Sequence, residues 1–120
     1  VEQYKLGEME QKFADIIWEN EPVNSRTLTE LCGEAFHWKR TTTYTMLKRL
    51  CDRGIFQNNG GTVVSLMSKN EFGAAQGEQF LNETFNGSLP KFLAAFTRRN
   101  KLSEKEINEI KQLIDEHKEG

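Results

Sequence analysis

Between His37 and Arg53 the chain carries Lys39, Arg40, Lys48, Arg49 and Arg53 against one acid, Asp52, interleaved with Thr41, Thr42, Thr43, Tyr44 and Thr45. Ammonium, guanidinium and hydroxyl groups at this density are donors for phosphate oxygens and base edges, and threonine methyls suit contact with the thymine methyl group. This is nucleic-acid chemistry, although basic residues on a helix also serve as a plain solvated face and threonine at a helix start as a plain N-cap. Bond-making chemistry has less support. His37 and His117 are far apart, neither has a carboxylate and nucleophile in a recognised spacing, and no glycine-rich phosphate loop follows a strand. Cys32 and Cys51 form no CxxC or CxC pair and lie in apolar helical patterns. They are expected to be small buried hydrophobes in a reducing cytoplasm, neither a disulfide nor a metal pair. No enzyme, metal site or cofactor is expected.

Helical spacing decides which of these side chains can reach a ligand. Over 41–53 it turns Thr43, Met46, Leu47 and Leu50 inward and Thr41, Thr42, Thr45, Lys48 and Arg49 outward, with Tyr44 near the edge. The threonine run costs a few tenths of a kcal/mol per residue in helix propensity, which a contact face tolerates. Gly54 is the expected stop in the C′ position. Upstream, Leu6, Met9, Phe13, Ile16 and Ile17 predict a first helix that ends near Asn20. Glu21-Pro22-Val23 is expected to be an extended connector, and Asn24 or Ser25 caps a second helix bearing Leu28, Leu31, Cys32, Ala35 and Phe36. Downstream, strand character at 55–57 and 62–67 flanks Asn58-Asn59-Gly60-Gly61, a strong hairpin signal. Three helices followed by a hairpin is the order of a winged helix-turn-helix domain.

The remaining chain is helical. Ser68-x-x-Glu71 and Ser103-x-x-Glu106 are capping boxes, with Met67/Phe72 and Leu102/Ile107 as hydrophobic staples. The fourth helix carries Phe72, Ala75, Gln79, Phe80 and Phe85, contains Gly73 and Gly77, and stops at Asn86-Gly87. A fifth starts near Ser88-Leu89-Pro90. Single stripes through Phe80, Leu89, Phe92, Leu93, Phe96, Ile107, Ile110, Leu113 and Ile114 supply little volume for a self-contained core. Burial against an identical chain solves this, so a homodimer is expected, with folding back onto the first three helices as the alternative. The expected fold is mainly α with a small β-hairpin, divided into a winged-helix DNA-binding domain (1–70) and a helical dimerisation domain (71–120). The 120-residue chain has a net charge of −2 and a mean hydropathy of −0.67. Any nucleic-acid footprint is therefore local. With no apolar run long enough for a membrane span and no signal-peptide core, a cytoplasmic location without membrane association is expected.

Ile17-Trp18-Glu19-Asn20-Glu21-Pro22-Val23, followed by the pattern TTxxTMLxRLxxxG from Thr41 to Gly54, resembles the BlaI/MecI/CopY group of penicillinase and copper-transport repressors. The resemblance implies a dimeric transcriptional repressor on a dyad-symmetric double-stranded DNA operator. It implies that Thr41, Thr42, Tyr44, Thr45 and Arg49 face the groove, that the wing at 58–61 follows the phosphate backbone, and that the C-terminal helices intertwine. This wing holds no Lys or Arg. The copper-responsive branch carries a C-terminal pair of CxC motifs, and this chain ends in Asp115-Glu116-His117-Lys118-Glu119-Gly120, so metal sensing of that kind is not expected. The β-lactam-responsive branch is inactivated by a sensor-linked protease at an Asn–Phe bond; the corresponding pair here is Ala95-Phe96, with the Phe retained and the Asn replaced. A second reading, favoured by the neutral wing and net acidity, is a winged-helix protein-interaction module.

Overall fold

The computed structural model describes residues 4–120, and among them six helices and three short strands. Helix α1 (Glu8–Asn20) begins where Glu10 folds back onto the Gly7 amide, which donates to its Oε1 at 2.9 Å. Its buried residues are Phe13, Ala14 and Ile17. Met9, expected on that face, is 38% exposed. At about 100° per residue, the stripe through Phe13, Ala14 and Ile17 passes through Glu10 in the first turn and leaves Met9 at its margin.

Glu21 and Pro22 form the expected connector, but Val23, its last residue, begins a strand. β1 (Val23–Asn24) pairs antiparallel with β3 (Thr62–Ser65), matching Val23 to Val63, and β3 pairs with β2 (Phe56–Asn59), giving the order β1-β3-β2. The hairpin is therefore the larger part of a three-stranded sheet. Glu21, which precedes a cis bond to Pro22, secures the edge: its carboxylate accepts from the Ser65 amide at 2.8 Å and from the Ser65 hydroxyl at 2.7 Å. The strand limits also shift. Asn58 and Asn59 belong to β2, so the turn is Gly60-Gly61 alone, with φ of +59° and +102°. A two-residue loop with both φ values positive matches the right-handed twist of the flanking strands.

Helix α2 (Ser25–Phe36) is capped by Asn24, whose side chain accepts from the Arg26 amide at 2.8 Å, and buries Leu28 and Cys32. Ala35 is exposed, a departure from expectation. In that last turn coverage passes to Phe36, whose ring centroid lies 4.9 Å from that of Trp38. Helix α3 (Arg40–Asp52) ends as expected. The Gly54 amide donates to Cys51 O at 2.9 Å and the Ile55 amide to Leu50 O at 3.2 Å, the paired bonds of a Schellman motif. The core joins Phe13, Ile17, Leu28, Leu47, Leu50, Ile55, Phe56, Val63 and Phe72. Trp18 packs against Phe56 and Phe72, and its indole N–H donates to Met67 O at 3.1 Å.

Helices α4 (Lys69–Thr84) and α6 (Glu104–Glu119) open with the expected capping boxes, Ser68/Glu71 and Ser103/Glu106; Ser88 caps α5 (Leu89–Arg99). The compact units are residues 1–79 and 80–120. Phe72 is buried in the first, so the opening turns of α4 complete the core of the winged-helix unit. In the second unit Phe80, Phe85, Phe92 and Phe96 form a chain of rings with centroids 5.6–5.9 Å apart, yet neither α5 nor α6 has a buried residue.

Candidate nucleic-acid interface

The N-cap of α3, Lys39, makes no side-chain capping bond. Amides of a first turn have no intrahelical acceptor, so this end offers donors suited to an anion. The helix is held from behind by Thr43, Leu47 and Leu50, all buried. The Thr43 hydroxyl donates to Lys39 O at 3.4 Å and packs near the Cys32 thiol of α2. Burial pushes that thiol up to about 11, so it is neutral and hydrophobic in character. With the inward side fixed, Lys39, Arg40, Thr41, Thr42, Thr45, Lys48 and Arg49 are all exposed, and Tyr44 is half-buried at the margin.

Neighbouring elements bring in residues that sequence reasoning missed. The Tyr44 hydroxyl donates to Ser25 Oγ at the start of α2, 3.4 Å away. That bond, with the positive fields of Arg40 and Arg26, lowers the phenol from its ordinary value. Tyr44 thus links the beginnings of α2 and α3, and Ser25 and Arg26 extend the donor surface. The turn sits close by, since the Ser25 amide donates to Gly61 O at 2.7 Å. An Asn-Ser-Arg run opening a helix was the available signal.

On the opposite flank, Arg49 Nη1 lies 3.7 Å and Arg53 Nη2 3.5 Å from Glu10 Oε2 of α1. Lys48 pairs with Asp52 at 3.2 Å, one turn along the same exposed face. Between α3 and β2 an open cleft of about 470 Å³ is lined by Tyr44, Leu47, Lys48, Cys51, Phe56 and Gln57, among others. Burial raises the Cys51 thiol, with Asp52 adding to the effect. Among the described residues no group of three or more His, Cys, Asp or Glu side chains is placed to hold a metal ion, and no helix is long and apolar enough to cross a membrane.

Of the side chains expected at a self-association face, Phe80, Leu89, Phe96, Ile107, Leu113 and Ile114 are exposed, while Phe92, Leu93 and Ile110 are half-buried. Ala95 and Phe96 lie within α5 rather than in a loop.

A family model described as penicillinase repressor matches residues 6–116. The penicillinase repressor of Bacillus licheniformis is 26% identical over 118 residues, covering 95% of this chain and 92% of that protein. The methicillin resistance regulatory protein MecI of Staphylococcus aureus (strain Mu50) is 21% identical over 116 residues, with 93% and 94% covered. MecI of Mammaliicoccus sciuri is 20% identical over the same length.

Proposed function

The chain belongs to the penicillinase repressor family, and from that membership we propose that it is a homodimeric transcriptional repressor that inserts α3 into the major groove of a dyad-symmetric operator. The observation that carries this reading is the division of α3. Thr43, Leu47 and Leu50 anchor one side, while Thr41, Thr42, Thr45 and Arg49 stand outward beside Lys39 and Arg40. Short threonine side chains allow close approach to base edges, and the basic residues at the helix start meet the backbone. In a two-fold dimer the recognition helices would enter successive major grooves roughly 34 Å apart.

Dimerisation falls to the second unit, whose own helices leave Phe80, Leu89, Phe96, Ile107, Leu113 and Ile114 exposed. Release by a sensor-linked protease would act at Ala95-Phe96. Because that bond lies within α5, the helix must unwind locally before a protease can bind it as an extended strand. Mass spectrometry of the repressor recovered from induced cells tests this: fragments ending at Ala95 support it, and cleavage elsewhere refutes it.

The experiment for the central reading is selection of duplexes from a random-sequence pool, followed by titration of the best duplex with the protein and its variants. Arg49→Ala and Thr42→Ala each weaken binding, Arg49→Ala by roughly 1–3 kcal/mol as for a lost groove contact. Affinity also falls steeply with salt. Recovery of no duplex from a folded, self-associating protein would favour a protein-interaction module.

A further inference from the structure

We infer that Glu10 is a positioning residue for operator recognition: from the first turn of α1, without touching DNA, it fixes the Arg49 guanidinium so that Arg49 reads a base edge instead of sampling the phosphates. The inference rests on the reading above, in which Arg49 contacts the operator.

Glu10 divides its carboxylate between two tasks. Oε1 accepts from the Gly7 amide at 2.9 Å and starts α1. Oε2 is buried and has no hydrogen-bond partner among the described residues. A buried carboxylate oxygen without a bonded donor is costly unless opposite charge compensates it. Here the compensation comes from Arg53 Nη2 at 3.5 Å and Arg49 Nη1 at 3.7 Å, both on α3.

The two arginines are not equivalent. Arg53 is secured by a second bond, Nη1 donating to Lys5 O at 3.0 Å, and its side chain is 28% exposed. The Arg49 side chain is 51% exposed and lies on the face with Thr41, Thr42 and Thr45. Its Nη1 also approaches Met46 Sδ at 4.0 Å. One edge of the Arg49 guanidinium therefore faces the carboxylate and the thioether while the rest stays open to solvent. The planar five-donor fork suits this division, because one edge can be held while another meets the two acceptors of a guanine. An unheld arginine finds phosphate oxygens as readily, and phosphate contacts carry no sequence information. Glu10 also places a negative charge beside the DNA face, which lowers affinity for every duplex alike.

The test uses the full-length chain, a duplex selected from a random pool by the wild-type protein, and a scrambled duplex of the same composition. The readout is the ratio of the two dissociation constants. Glu10→Gln retains an acceptor for the Gly7 amide and removes the charge; Glu10→Asp keeps the charge but withdraws it by one methylene, and serves if the Gln variant fails to fold. Glu10→Gln is expected to tighten binding to the scrambled duplex and to lower the ratio on the order of tenfold, the scale of one lost bidentate base contact. Arg49→Ala lowers the ratio similarly, and the double variant falls no further, since both changes remove one contact. A merely structural role for Glu10 would shift the melting temperature and leave the ratio alone. If Arg49→Ala lowers the ratio and folded Glu10→Gln does not, or if the two losses add, this inference fails by itself. If Arg49→Ala leaves the ratio unchanged, the assignment of Arg49 to the operator fails and takes this inference with it.

Discussion

Thr42 and Thr43 are adjacent in sequence and opposite in surroundings. Thr43 is 1% exposed and spends its hydroxyl on Lys39 O, whereas Thr42 lies on the outer face. Replacing Thr42 with alanine should therefore leave the melting temperature nearly unchanged and weaken operator binding, as paired thermal melts and titrations would reveal. Thr43→Ala should instead destabilise the fold, because it empties space between α2 and α3. Cys32, which packs beside Thr43, supplies a pH-dependent counterpart. Burial raises its thiol from 9.0 to about 11, so above pH 9 the unfolded chain ionises while the folded chain keeps its proton. Stability is thus fully present below pH 9 and declines as pH rises towards 11. Denaturant titrations at several pH values should show a shallower alkaline decline for Cys32→Ala than for wild type. The cavity left by that substitution lowers stability at every pH and does not alter the slope. Equal slopes would remove Cys32 as the cause.

The elements whose signals are local are the ones legible in the sequence. α3 could be read because four inward positions recur at helical spacing and Gly54 closes it; the structure gives Gly54 a φ of +79°. The capping boxes at Ser68 and Ser103 were equally local, with each pair of partners three residues apart. β1 was illegible for the converse reason. Two residues carry no alternation, and the strand exists because Val23 and Asn24 find Val63 and Thr62, 40 and 38 positions away. Glu10 escaped notice similarly, since an acid in a first turn is ordinary dipole chemistry until α3 lays two arginines beside it. The division of compact units at Gln79–Phe80 depends on Phe72 finding Trp18 and Tyr4, which spacing does not reveal. The packing of α4 carries a prediction. A Cβ added at Gly73 or Gly77 would meet nothing within 4 Å, and neither residue has a positive φ. Each change to alanine should stabilise α4 by up to about 1 kcal/mol, raising the melting temperature by about 4–8 °C in a small domain. A fall in either variant would mean that these glycines serve a conformation α4 does not adopt here.

At the scale of the whole molecule, the two units differ in how well each satisfies its own apolar groups. The winged-helix unit encloses Phe13, Phe56 and Phe72 almost completely. The second unit leaves Leu113 66% exposed, and Leu89 and Ile114 both 52% exposed. At about 25 cal/mol per Å² of apolar surface, covering such side chains with a second copy is strongly favourable. In the proposed dimer the same step would join two winged-helix units, and the second half-site would be engaged at high effective concentration. Self-association and operator affinity should consequently fall together when the face is charged. Ile114→Asp is suited to the test because its side chain is exposed in the single chain and α6 buries none of its own residues. In sedimentation experiments this variant should run as a monomer at concentrations where wild type is dimeric, with the winged-helix unit still folded by circular dichroism. Its affinity for a full dyad should drop by about 10²–10⁴, the range avidity supplies, while affinity for an isolated half-site stays near that of wild type. A monomeric variant that bound the full dyad as tightly as wild type would separate recognition from assembly and locate all of the binding energy in one α3.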